Sequence, residues 1–173
     1  MDGTFLLFAI LFVACLAIRG IYELLKEARR INPESRIIFS GILAVMILLW
    51  LSWFSLPEAD PVPLGLPETV RWAGLAVVAM GTILAVGALV QLRGVENIDR
   101  LVTTGLFSRI RHPMYLGFIC WLLGWSIVRD AGASFLIGLA GTGSVLWWRH
   151  LEEGRLERQF GDSYLQYRRT TWF

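Results

Sequence analysis

The chain has 173 residues, of which 55% are hydrophobic and 17% charged, and its mean hydropathy is +0.58. Soluble domains run at about 45–50% apolar and about 25% charged residues, so an ordinary soluble core is excluded. The net charge of +2 offers no case for nucleic-acid binding, and Cys15 and Cys120, both inside apolar runs, form neither a disulfide framework nor a metal-binding CxxC.

A membrane span needs about 20 mostly apolar residues. Five segments are predicted to cross: residues 4–25, 37–56, 72–92, 113–128 and 131–148. In the first, Arg19 and Glu23 stand at i,i+4 and pair on one helix face. It lacks the basic leader and small-residue cleavage site of a signal peptide, so it is read as a true span. Pro57, Pro61, Pro63 and Pro67 make the next connection an extended, ordered loop, a lid or spacer without catalytic equipment. Glycines at 74, 81 and 87 in the third helix, and at 138, 141 and 143 in the fifth, suit close helix packing. Gly141 and Gly143 alternatively open room for a ligand. Trp50, Trp53, Trp147 and Trp148 suit the membrane interface.

All of the 16 basic residues except Arg71 and Arg129 fall on one side of this five-span arrangement. The positive-inside rule therefore places the N-terminus outside and the C-terminus in the cytoplasm. The expected fold is an all-α integral membrane protein: one domain over residues 1–173, five transmembrane helices and a cytoplasmic C-terminal amphipathic helix beginning near Glu152. Leu151, Leu156, Phe160, Tyr164 and Tyr167 lie near one face of that last helix.

Polar chemistry gathers in two stretches flanking the last hairpin, residues 101–117 and 149–167. Pro113 opens helix 4, leaving His112 at the helix entrance and Tyr115 about one turn inside. His112 either caps the helix or, with the free amides there, meets a polar ligand group. Glu152 and Glu153 either pair with Arg149, Arg155 or Arg158, or hold a cationic cofactor under aromatic cover. His112 and His150 are the only histidines, and no metal-ligand set forms around them.

Leu101-Val102-Thr103, Gly105 and the run Arg111-His112-Pro113-Met114-Tyr115-Leu116-Gly117 resemble the cofactor motif of the isoprenylcysteine carboxyl methyltransferases. Glu152-Glu153, Leu156, Phe160-Gly161, Tyr164 and Tyr167 are similar to that family's C-terminal motif. The wider membrane methyltransferase group, including the phospholipid N-methyltransferases, shares much of the pattern. The resemblance covers the last 75 or so residues and implies an S-adenosylmethionine-dependent methyltransferase with its cofactor region at 91–173. By similarity, Leu101, Val102, Phe107, His112, Pro113, Met114, Tyr115 and Glu152 line the cofactor site. Phe107 stands where the family commonly has Tyr, and Gln91 is a further candidate cofactor contact.

The implied acceptor is lipid-like or prenylated and enters from the bilayer, most naturally as an isoprenylcysteine-type α-carboxylate. A carboxylate needs no general base, only a cation to orient it. Arg149 and Arg168 are the candidates for that catalytic role, with Arg111, Arg149 and Glu153 as substrate contacts. Phospholipid amine methylation, with His112 or Glu153 removing a proton, is the alternative reaction; a non-enzymatic membrane assembly subunit is the alternative class.

Overall fold

The computed structural model describes residues 3–32, 35–92 and 100–173. Most of the expected Gln91–Arg100 connection, residues 93–99, lies outside the described residues. The described chain is helical, with two isolated β-bridges and no strand: α1 (Gly3–Glu27), α2 (Arg36–Ser55), α3 (Glu68–Leu92), α4 (Pro113–Val128), α5 (Gly132–Phe160) and α6 (Asp162–Thr170). Three helical segments, Gly3–Glu27, Arg36–Ala59 and Glu68–Leu92, are long and apolar enough to cross a membrane. The protein is accordingly an integral membrane protein. α4 has only 16 residues, about 24 Å at 1.5 Å rise. The first half of α5 is diluted by Gly138, Gly141, Thr142 and Gly143. Neither qualifies as a span by the length and composition that mark the first three.

The final helices depart from expectation. No separate amphipathic helix starts at Glu152: α5 runs unbroken from Gly132 to Phe160. Gly154 alone does not stop it, and Arg149 and Glu153 support it as an i,i+4 pair with Nε to Oε1 at 3.6 Å. The break comes at Gly161, whose φ of +51° ends α5 and starts α6.

α4 packs most extensively against α3, and glycine is the reason. A Cβ on Gly117 would stand 2.5 Å from the Gly81 carbonyl oxygen, and one on Gly124 3.1 Å from the Gly74 carbonyl oxygen. Where lipid removes the hydrophobic drive between helices, such backbone approach gives dispersion contact its reach. α1 pairs with α2, and both α1 and α4 touch α5, whereas α2 and α3 do not pack closely on each other. Gly141 faces Phe12 and Leu122 in the core, where it serves packing, and Gly143 faces open space.

Two tryptophans expected at the interface are core instead. Trp53 is fully buried against Phe12, with ring centroids 4.8 Å apart, and donates from Nε1 to the Trp121 carbonyl. Trp148 is buried between α1 and α5. The Trp53 ring fills the gap that Gly138 leaves open, while the space beside Gly20 is taken mainly by Trp147.

The proline-rich connection straps the α4–α5 turn. Leu64 N–H donates to the Asp130 carbonyl, and Gly132 N–H to the Val62 carbonyl. Asp60 replaces a local N-cap on α5. Its carboxylate accepts from Ser134 N at 2.6 Å and from Val62 N at 2.9 Å, where Ala131 has no capping side chain.

Candidate active site

α3 ends beside the turn that begins the first motif. Gly105 has φ +60°, and the Gln91 side chain folds over it: Oε1 accepts from Leu106 N at 3.0 Å. A Cβ on Gly105 would fall 1.7 Å from Gln91 Nε2. Gln91 is thus a clamp on the turn. Its neighbour one turn back, Gly87, makes room for Leu106. Tyr167 of α6 donates to the Phe107 carbonyl at 2.6 Å, and burial pushes its phenol up to about 12. These bonds hold Leu101, Val102 and Phe107 toward the base of α4.

Residues 171–173 lie beside the next segment. Arg111 N donates to the Trp172 carbonyl, His112 N to the Phe173 carbonyl and Trp172 N to the Arg109 carbonyl. Arg111 then reaches inward, with Nε 3.1 Å from Glu153 Oε1 and Nη1 2.6 Å from the Thr171 carbonyl. Glu153 is the hub of this cluster. Contact with the His112 ring, followed by the Arg111 hydrogen bond and the Arg149 charge, holds its carboxyl down at about 2. His112 Nε2 lies 3.5 Å from Glu153 Oε1, at the outer limit of a hydrogen bond, and is buried without a well-formed partner. The His112 side chain does not cap α4; its ring stacks on Tyr115 at 5.7 Å and 20°.

Tyr115 Oη donates to Glu152 Oε2 at 2.6 Å, joining the first turn of α4 to the far part of α5. Glu152 therefore meets a tyrosine, whereas its neighbour Glu153 meets the arginines. Tyr115 and Glu152 help floor a cavity of about 360 Å³, within the about 300–1,000 Å³ usual for small-molecule sites. Every expected cofactor residue lines it: Leu101, Val102, Phe107, His112, Pro113, Met114, Tyr115 and Glu152, with Arg111 beside them.

Arg149, Arg168 and Glu153 do not line it. The Arg149 guanidinium lies 4.7 Å above the Phe173 ring, and half-exposed Arg168 faces Glu157 at 3.7 Å. Three charged residues of α1 do line it, Arg19, Glu23 and Lys26, together with Arg155 of α5. The sequence signalled Arg19 and Glu23 only as a pair on one helix.

The cavity continues away from this floor as an apolar groove between α2 and α3. Phe39, Leu43, Met46, Ile47 and Trp50 form one stripe of α2, facing Val86 and Leu89 of α3. Leu43, Ile47, Val86 and Leu89 are exposed. The groove opens where these two helices fail to pack.

A family model described as phospholipid methyltransferase matches residues 69–163, more than half of the chain. The chain belongs to this family. Protein-S-isoprenylcysteine O-methyltransferase of Schizosaccharomyces pombe is 32% identical over 112 residues, 56% of this chain and 45% of the relative. Methanethiol S-methyltransferase 2 of Bradyrhizobium diazoefficiens is 29% identical over 147 residues, 74% of this chain and 54% of the relative. A protein-S-isoprenylcysteine O-methyltransferase of Dictyostelium discoideum is 25% identical over 143 residues, 76% and 57%. The chain spans about half the length of the curated relatives it matches. No solved structure matches it.

Proposed function

We propose that this protein transfers a methyl group from S-adenosylmethionine to a lipophilic acceptor, best matched by the α-carboxylate of an isoprenylcysteine-type molecule. The observation that carries the reading is one cavity with two characters. Its polar floor is built from both motif stretches, and its apolar arm opens between α2 and α3. A water-soluble donor and a lipid-tailed acceptor need such a site at the boundary of the two solvents.

The residues fit the donor. Glu152, anchored by Tyr115, would receive the ammonium of its amino-acid end, while Leu101, Val102, Phe107 and Met114 would cover the heterocycle. Bound there, the donor supplies a methyl group already activated on a sulfonium. The remaining work falls to the chain: hold donor and acceptor in line, and keep water out, which strengthens the orienting charges. A carboxylate acceptor has no proton to lose, and cations line the floor to orient it. The reading also carries the five-crossing topology, with α4 and α5 as a hairpin, the motif face cytoplasmic and residues 1–173 acting as one unit.

One observation favours a second reading, methylation of an amine or thiol. His112 Nε2 is buried beside Glu153 without a well-formed hydrogen bond, so it is the nearest group to a base at the floor. Labelled donor supplied to membranes containing the protein separates the two. Base-labile methyl esters support the carboxylate; label in lipid amines or thioethers selects the second reading. No saturable binding of S-adenosylhomocysteine to purified protein refutes both.

A further inference from the structure

α1 lies outside the residues matched by the family model, yet it brings charge into the cavity. Glu23 has a side chain only 1% exposed. Arg19 Nη1 is hydrogen-bonded to Glu23 Oε1, and Arg155 Nη1 of α5 lies 2.7 Å from Glu23 Oε2. One carboxylate thus stands between two guanidiniums whose side chains are 12% and 16% exposed. Glu27, the next carboxylate on α1, is hydrogen-bonded to Arg158 and stays 4.0 Å from Arg155. Lys26, also lining the cavity, adds a further positive charge. Arg155 Nε and Nη1 and Glu23 Oε2 are all buried without a well-formed hydrogen bond, so the 2.7 Å approach is an ion contact and Glu23 does not satisfy the fork. Buried charge demands compensation, and here two guanidiniums at the cavity wall share one buried carboxylate.

We propose that Arg19 and Arg155, bridged by Glu23, form a carboxylate-binding subsite of this cavity, with Glu23 holding the two guanidiniums apart and aimed. The proposal rests on the methyl-transfer reading. It replaces Arg149 and Arg168, which lie outside the cavity, as the source of the orienting cation. Arginine suits the task because its planar fork matches a carboxylate. Glu152 and Tyr115 stand on the same floor, so the amino-acid end of the donor meets opposite charges side by side. The acceptor carboxylate has the same chemistry and is the other source of the ligand.

The test uses the full chain in detergent and two ligand pairs measured by calorimetry. S-adenosylhomocysteine is compared with its decarboxylated analogue, which keeps the ammonium, and N-acetyl-S-farnesylcysteine with its carboxamide. Arg155→Gln leaves the Arg19–Glu23 pair in place; Arg19→Lys keeps the charge of α1 and removes the fork. For whichever ligand uses the subsite, each variant is expected to raise Kd about 10- to 100-fold, with the carboxylate-free partner unchanged. The donor pair responding places the donor there; the acceptor pair responding places the acceptor there. Equal Kd for both carboxylates in wild type and both variants, at unchanged helicity, overturns the subsite and leaves a brace between α1 and α5. Equal weakening of both members of a pair overturns it too. Wild-type protein that binds no S-adenosylhomocysteine refutes the donor reading itself, and the acceptor pair then decides the subsite alone.

Discussion

Glu152→Gln tests the charge on the cavity floor with little change of shape. The amide oxygen still accepts from Tyr115, now bonded at 2.6 Å, so the link between α4 and α5 survives while the negative charge disappears. An ammonium about 4 Å from a carboxylate gains about 4 kcal/mol at an effective dielectric near 20. Desolvation offsets much of this, leaving about 1.5–3 kcal/mol for a charged hydrogen bond. The expected loss in S-adenosylhomocysteine affinity is therefore about 10- to 150-fold. Tyr115→Phe keeps the charge and loosens its aim, and is expected to cost about 2- to 10-fold. Calorimetry on folded, detergent-solubilised protein reads both, with His112→Ala as a third variant. A Tyr115→Phe loss equal to that of Glu152→Gln would show that charge is not what holds the ligand. If Glu152→Gln and His112→Ala both bind within two-fold of wild type, the site is elsewhere.

Gly117→Ala places a methyl 2.5 Å from the Gly81 carbonyl and 2.9 Å from the Ala85 amide. It should destabilise the helix pair by about 1–3 kcal/mol, read as a lower thermal midpoint, whereas Gly143→Ala, facing open space, should be neutral or better. The Glu153 carboxyl is held at about 2, below its ordinary 4.5. Its folded value is the depressed one, so its contribution is complete above pH 4.5 and is lost as pH falls toward 2. The shift corresponds to about 3 kcal/mol, which solvent screening reduces to about 1–2 kcal/mol. Glu153→Gln should lower the midpoint at pH 7, with the gap to wild type narrowing below pH 4.5 and closing only toward pH 2; a gap independent of pH would refute this account. Asp60→Ala removes the remote cap of α5 and should cost about 1–2 kcal/mol, with faster amide exchange confined to the α4–α5 turn and first turn of α5.

What could be read from the sequence was whatever local spacing determines. Pro113 marks the start of α4, the apolar runs mark the first three helices, and the two polar stretches do meet on one floor. Residues whose roles depend on distant partners could not be read. Asp60 looked like a loop carboxylate because the helix it caps begins more than seventy positions later in the chain. Arg19 and Glu23 looked complete as a pair, since nothing in α1 announces Arg155. Arg149 and Arg168 carry the right chemistry, but helical phase turns them toward Phe173 and Glu157 instead of the cavity. The length of α5 was hidden because its composition changes from apolar to charged halfway along, and composition marks the edge of a solvent more reliably than the end of a helix.

The glycine seam between α3 and α4 divides the labour of adaptation. It tolerates almost no side chain, so two walls of the cavity are held in one fixed register. The α2 stripe from Phe39 to Trp50 is under no such constraint across the gap to α3. Exchanging Leu43, Met46 or Ile47 for smaller or larger neighbours would alter the depth and width of the apolar arm without touching the floor. A lineage with this architecture can therefore change the tail it accepts by editing one helix, while the chemistry beneath is inherited intact.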